Sequence, residues 1–281
     1  MKYCLKYRHT SHFNRECDEL MIDYHYRKEN NIINFLQAHE QQRIIFNIVT
    51  FAEVQDHLQE TLEFFVAIKQ EFPNINFTLK FNIPNVLHDD VRLILAKLKA
   101  LNIPYFFGLK ITDWDILHLL LQLDVSDVYI SEAMGFELFK IAPVVHARGV
   151  QIRVFPNVAQ SSNESIAAPI KFFIRPEDTS LYEPYVDVFE LFGEDSRLDA
   201  YFKIYAIHKK WLGNLNDLII FNSYDKHQMA YDNRYIAPGF AVRRIQCGKK
   251  CLKGTPCNSC YRHLQHATLT TEHISKTKNH N

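Results

Sequence analysis

Residues 247–260 read CGKKCLKGTPCNSC, and this loop holds Cys247, Cys251, Cys257 and Cys260, four of the six cysteines in the chain. Thiols spaced C-x3-C-x5-C-x2-C either share a ligand or pair with one another. Two disulfides in so short a loop would demand an oxidising compartment. The spacing predicts a tetrathiolate metal centre instead. Zinc takes two short cysteine pairs, each folded as a knuckle, with a longer insert between them. CNSCYRHL suits such a knuckle, with a helix starting at its second cysteine. The insert LKGTP is compressed for zinc, and closely spaced cysteines also wrap iron–sulfur clusters. The cofactor expected is therefore an iron–sulfur cluster or zinc. Gly248, Gly254 and Pro256 supply the turns that either requires. His263 could replace one thiolate, although a solvent-facing place on the helix accounts for it more simply.

The charge around the loop is one-sided. Between residues 242 and 263 stand Arg243, Arg244, Lys249, Lys250, Lys253 and Arg262, with no Asp or Glu. Cations lower a thiol pKa and offset the negative charge of a tetrathiolate centre. They also suit a phosphate backbone, which makes Arg243, Arg244, Lys249, Lys250 and Lys253 candidate nucleic-acid contacts. Residues 176–199 are the reverse case, with eight acidic side chains against Arg197 alone. Docking of the two segments on each other would explain both without any partner.

A second set of candidates lies at the ends of short apolar runs, where a (β/α)8 barrel carries its chemistry. Those ends hold Asn47 and Thr50, Lys80 and Asn82, Lys110, Ser131 and Glu132, Asn157 with Gln160 and Ser161, Arg175 with Glu177 and Asp178, and Glu190. Glu132 and Glu190 are the candidate acid–base residues. Arg175 is the candidate anion binder, and Asn157, Gln160 and Lys110 are candidate substrate contacts. Carboxylates also stand in such loops simply to cap helices; Asp178 before TSLYEPY and Thr112 before DWD read that way. No Ser-His-Asp order, HExxH or catalytic-cysteine pattern stands out, and Cys4 and Cys17 have no evident partner in the sequence.

The elements that must position these residues follow a repeating rhythm. Strand-like runs start near residues 43, 77, 104, 127, 151, 170, 187 and 217, and most are separated by a helical segment. Residues 52–71, 86–101, 113–123, 136–148 and 195–210 have helical spacing, the fourth closed by Gly149. Most of the strands lack clean in/out alternation, as expected for a parallel sheet covered on both faces. With no GxGxxG and no P-loop, eight repeats favour a closed parallel (β/α)8 TIM-type barrel over an open nucleotide-binding sheet. The sixth unit is the weak one, because TSLYEPYVD leaves room for about two helical turns.

The boundaries expected are a small β/α cap over residues 1–41, the barrel over 42–222, a linker and cysteine loop over 223–266, and a polar tail over 267–281. KYCLKYR and ELMIDYHY, two aromatic and roughly alternating runs, are read as a strand pair in that cap, followed by a helix at 31–39. The chain has 281 residues, 47% hydrophobic, enough to build a sizeable core. Lys plus Arg equals Asp plus Glu at 32 each, so global charge favours no partner. No run approaches a membrane span or a signal-peptide core, and the expected location is the cytoplasm.

VYISEAMGFELFKIAPVVHARGVQIRVFPNVAQSS, followed by FFIRPEDTSLYEPYVDVFELFG, resembles the barrel of the U32 peptidase-like family over residues 43–221. In that family a strand, a short acidic loop and a GxEL-type helix entry recur within a (β/α)8 domain. The family was named for collagenase-like proteolysis, and several members instead bind a four-cysteine iron–sulfur cluster and help to hydroxylate RNA bases or quinone precursors. The resemblance implies a cluster-bearing barrel with modification chemistry on RNA or a small aromatic substrate. In those members the cysteines are dispersed, whereas here they fall in one C-terminal loop. The alternative is a zinc-stapled module that binds nucleic acid or a protein partner without catalysis.

Overall fold

The computed structural model of the chain describes residues 1–7, 16–23, 32–48, 58–81, 89–107, 114–122, 126–130, 138–159, 173–218, 220–221, 230–246 and 267–269. Eight strands are built from β-branched and aromatic runs: β1 (Lys2–Tyr7), β2 (Glu19–Asp23), β3 (Arg43–Ile48), β4 (Asn76–Phe81), β5 (Tyr105–Phe107), β6 (Asp127–Tyr129), β7 (Gln151–Val154) and β8 (Val188–Leu191). All neighbours pair in parallel, and β8 pairs with β1 (Cys4 opposite Glu190), so the sheet closes on itself. A parallel pair needs a crossover connection. Helices α1 (Ile32–Ala38), α2 (Leu58–Glu71), α3 (Asp89–Ala100), α4 (Trp114–Gln122) and α5 (Leu138–His146) supply it from β2 through to β7. A short 3-10 helix, Pro176–Leu181, stands between β7 and β8, and α6 (Asp195–Ala206) follows β8. The eight-stranded parallel α/β barrel expected from the sequence is present. Gly149, at φ +71°, ends α5 in a conformation that only glycine adopts without strain. Among the described residues, no helix is long and apolar enough to cross a membrane.

The membership of the barrel differs from expectation. Residues 1–23, read as part of a cap, contribute β1 and β2. Two runs read as strands drop out. Phe173 and Ile174 are buried but lie outside any strand, with the Ile174 N–H donating to the Pro156 carbonyl. Ile220–Phe221 pairs with Val158–Ala159 in a separate two-stranded sheet. The physical reason is the character of the barrel's interior. Along β1, Tyr3, Leu5 and Tyr7 join the main core, while Cys4 belongs to a separate interior cluster and Lys6 shares its face. A strand with a charged inner face reads as half-solvated, although it is enclosed on both sides.

The apolar residues form two bodies. The large one fills the space between the outer strand faces and the helices, and includes Phe46, Phe65 and Phe77, with the rings of Phe65 and Phe77 stacked at 5.6 Å. The small one, Cys4, Met21, Ile45, Phe106 and Val188, is a single layer inside the barrel, contributed by β1, β2, β3, β5 and β8. Charged layers sit on either side of it.

C-terminal to the barrel, a short segment is laid over the 3-10 helix. Helix α7 (Phe240–Gln246) packs against that helix, and the Asn233 N–H donates to the Gly213 carbonyl. The helix leading into the cysteine loop therefore touches the acidic stretch 176–199. The cysteine loop itself lies outside the described residues.

Candidate active site at the barrel mouth

Inward-facing charge begins at the N-terminal ends of the strands. Glu19 opens β2, Arg43 opens β3 and Asp127 opens β6; Arg153, the third residue of β7, reaches the first and last of these. Arg153 is fully buried and donates twice to Glu19, at 2.5 and 3.0 Å, and once to Asp127 at 2.9 Å. Arg43 donates to the same two carboxylates at 3.1–3.3 Å and to Thr78 at 3.1 Å. Both guanidinium groups lie over the Phe106 ring, at 4.7 and 5.9 Å. Burial alone would raise the Asp127 carboxyl, but Arg153 and Arg43 overcome it and hold the group below the usual carboxylate range. Every charge here has an opposite partner, so this layer is a structural floor.

Beyond the apolar layer, toward the mouth, the arrangement changes. Lys80 of β4 is 2% exposed and is the one buried lysine among the described residues. Its Nζ donates to Glu190 Oε2 at 2.9 Å, lies 3.8 Å from Met21 Sδ, and sits over the rings of Phe155 and Tyr129 at 5.0 and 5.5 Å. Burial, the largest influence, lowers the Lys80 pKa, and the Glu190 carboxylate opposes that effect. Glu190 is fully buried, and its Oε1 has no hydrogen-bond donor, with Arg153 Nη1 at 3.6 Å. Burial followed by repulsion from Glu190 and Glu19 raises the pKa of the Cys4 thiol beside them, so Cys4 is a neutral wall.

Above the pair is a half-buried rim. Lys6 bridges to Asp23 at 3.1 Å, Asn47 donates to Asp23 at 2.5 Å, and Lys6 Nζ lies 5.2 Å from the Phe192 ring centre. Phe155 packs edge-on against Phe192 at 4.4 Å and tilted against Tyr129 at 4.2 Å. Lys80 and Glu190 therefore stand buried beneath aromatic rings and a polar rim, on the side of the C-terminal strand ends where barrel enzymes carry out their chemistry.

No family model and no curated protein matches this chain.

The residues singled out by sequence fall into three groups. Glu190 and Lys80 meet in the lumen, and Asn47 joins the rim. Asn157 is also at the mouth, but its amide forms a reciprocal pair with the Phe192 backbone, donating to the carbonyl at 2.5 Å and accepting from the N–H at 3.1 Å. It thus clamps the chain after β7 to the chain after β8. Arg175 is 3% exposed and donates to Asp178 at 2.5 and 3.0 Å and to Asn233 at 3.1 Å. The residue read as an anion binder thus has its guanidinium engaged by protein partners. Asp178, read as a helix cap, is that arginine's partner, and Glu177 accepts from Asn233 at 2.6 Å.

Arg243 is exposed on α7, and Arg244 lies on the same helix. Thr50, Asn82, Lys110, Thr112, Ser131, Glu132, Gln160, Ser161, Lys249, Lys250, Lys253, His263, Cys247, Cys251, Cys257 and Cys260 lie outside the described residues. Among the described residues, no cluster of His, Cys, Asp and Glu has the makings of a metal site. The sequence reading missed Lys6, Asp23, Glu19, Arg43, Asp127 and Arg153 as interior charges. A charged residue inside a short strand, as in ELMID and QIRV, was the available signal.

Proposed function

We propose that this chain is a metal-cluster-bearing barrel enzyme of U32 peptidase-like type, modifying a small aromatic substrate or an RNA base at the mouth built around Lys80 and Glu190. The observation that carries the reading is Glu190 Oε1, a fully buried acceptor lacking a hydrogen-bond donor, beside a buried ammonium and under aromatic rings. A buried unmet acceptor costs about 1–3 kcal/mol, and an incoming N–H or O–H recovers it. Phe155 and Phe192, both half-buried, are the rings a planar group would pack against. Lys80 and Glu190 then act as a proton-transfer pair, and Lys6, Asp23 and Asn47 orient polar groups at the rim. Cys247, Cys251, Cys257 and Cys260 would hold the iron–sulfur cluster or zinc ion, a donor set of the right softness. That centre, when bound, supplies electron transfer or Lewis-acid chemistry.

The test has two arms. Protein purified without oxygen is expected to contain iron with sulfide, or stoichiometric zinc, that is lost in Cys257→Ser. Mass spectrometry of RNA nucleosides and small aromatic metabolites from expressing cells is expected to show a product with the wild type and none with Lys80→Met. Metal-free protein refutes the first arm, and identical profiles refute the second. A second reading, a non-catalytic module that binds nucleic acid, is favoured by Arg243, exposed on the helix that enters the basic loop. It predicts affinity that falls steeply with salt.

A further inference from the structure

Resting on that reading of the mouth, we infer that Lys80 is a covalent nucleophile, forming an imine with the carbonyl carbon of a small aromatic aldehyde or ketone. An ammonium carries three N–H donors, and Lys80 has one oxygen acceptor among the described residues, Glu190 Oε2 at 2.9 Å. Its remaining neighbours are a thioether sulfur at 3.8 Å and two ring faces. Thioether sulfur is a weak acceptor, so the charged form is under-served. The adjacent carboxylate keeps one oxygen without a donor, and proton transfer from Lys80 to Glu190 leaves two neutral partners still joined by a hydrogen bond. A neutral amine is the form that adds to a carbonyl. Lys80 is also held on a barrel strand rather than a loop, which fixes the line of attack.

Atoms and charge balance within the pair. Lys80 gives one proton to Glu190, and the free amine adds to the carbonyl carbon. The carbon–oxygen π pair moves to oxygen, which takes up the proton lost by nitrogen. Glu190 returns its proton to the carbinolamine hydroxyl, which leaves as water. The product is a protonated imine in place of the ammonium. Phe155 and Phe192, both half-buried, line the approach and select an aromatic group. RNA bases carry no aldehyde or ketone, so within the proposed reading this step selects the small aromatic substrate.

The test needs no altered protein. Wild-type chain is incubated at neutral pH with benzaldehyde and cyanoborohydride, then digested and mapped by mass spectrometry. A lowered pKa raises the neutral fraction of an amine at neutral pH, so Lys80 should label faster than exposed lysines such as Lys69 and Lys203. Label on exposed lysines alone, with Lys80 unmodified, overturns the inference. If Lys80 stays unmodified while Lys80→Met still abolishes product, the acid–base reading stands and the imine falls. If neither result appears, the mouth is not the site.

Discussion

Replacing Arg153 with Met removes the cation that joins the barrel floor. The wild-type guanidinium makes two hydrogen bonds to Glu19 and one to Asp127. At about 1.5–3 kcal/mol each for bonds to charged groups, the gross loss approaches 5–9 kcal/mol. Arg43 remains within 3.1–3.3 Å of both carboxylates and compensates in part. The net cost is therefore expected near that of breaking a buried ion pair, about 3–5 kcal/mol, or on the order of 10 °C in melting temperature. Urea unfolding, with the midpoint lowered and the slope unchanged, is the assay.

The pH dependence gives an independent check. In the wild type the folded Asp127 pKa is lowered, so its contribution is present above the unfolded value of about 3.9 and is lost as pH falls through the folded one. In Arg153→Met the Asp127 carboxylate loses the cation that does most to lower its pKa, and its folded pKa rises. The variant should regain stability as pH falls toward the unfolded value of about 3.9, and the gap between the two proteins should narrow on acidification. Neutralising the partners as well, in the triple variant with Glu19→Gln and Asp127→Asn, should recover most of the loss. A difference below about 1 kcal/mol at pH 7, or one that does not change with pH, would refute the reasoning.

Other perturbations test packing and docking. A Cβ at Gly193 would lie 2.8 Å from Tyr201 Cε2, on a buried ring whose hydroxyl donates to the Asp217 carbonyl at 2.8 Å. Gly193→Ala should therefore cost about 1–3 kcal/mol in a denaturant melt. Arg175→Met should release residues 230–246 from the barrel wall while leaving the strands intact. Hydrogen exchange would then quicken at Asn233 and around Phe240, whose ring lies 6.0 Å from that guanidinium, and stay slow in β3 and β4.

The alternation of apolar runs with helical spacings was enough to specify an eight-stranded parallel barrel, six of its strands, and the glycine that stops α5. That much is local: strand and helix periods and a positive-φ stop depend on neighbours along the chain. Membership in the ring was a tertiary decision. Lys6, Glu19 and Asp23 make the first two strands look solvated, and only closure of the sheet shows that their charges meet Asn47, Arg43 and Arg153 across a shared interior. The roles of the polar residues were settled in the same way. Arg175 faces Asn233 from 58 residues away, Asn157 holds Phe192 from 35, and Lys80 finds Glu190 from 110. A side chain's chemistry depends on which charge is opposite it, and in a closed barrel that neighbour is chosen by register and closure, which composition and spacing do not encode.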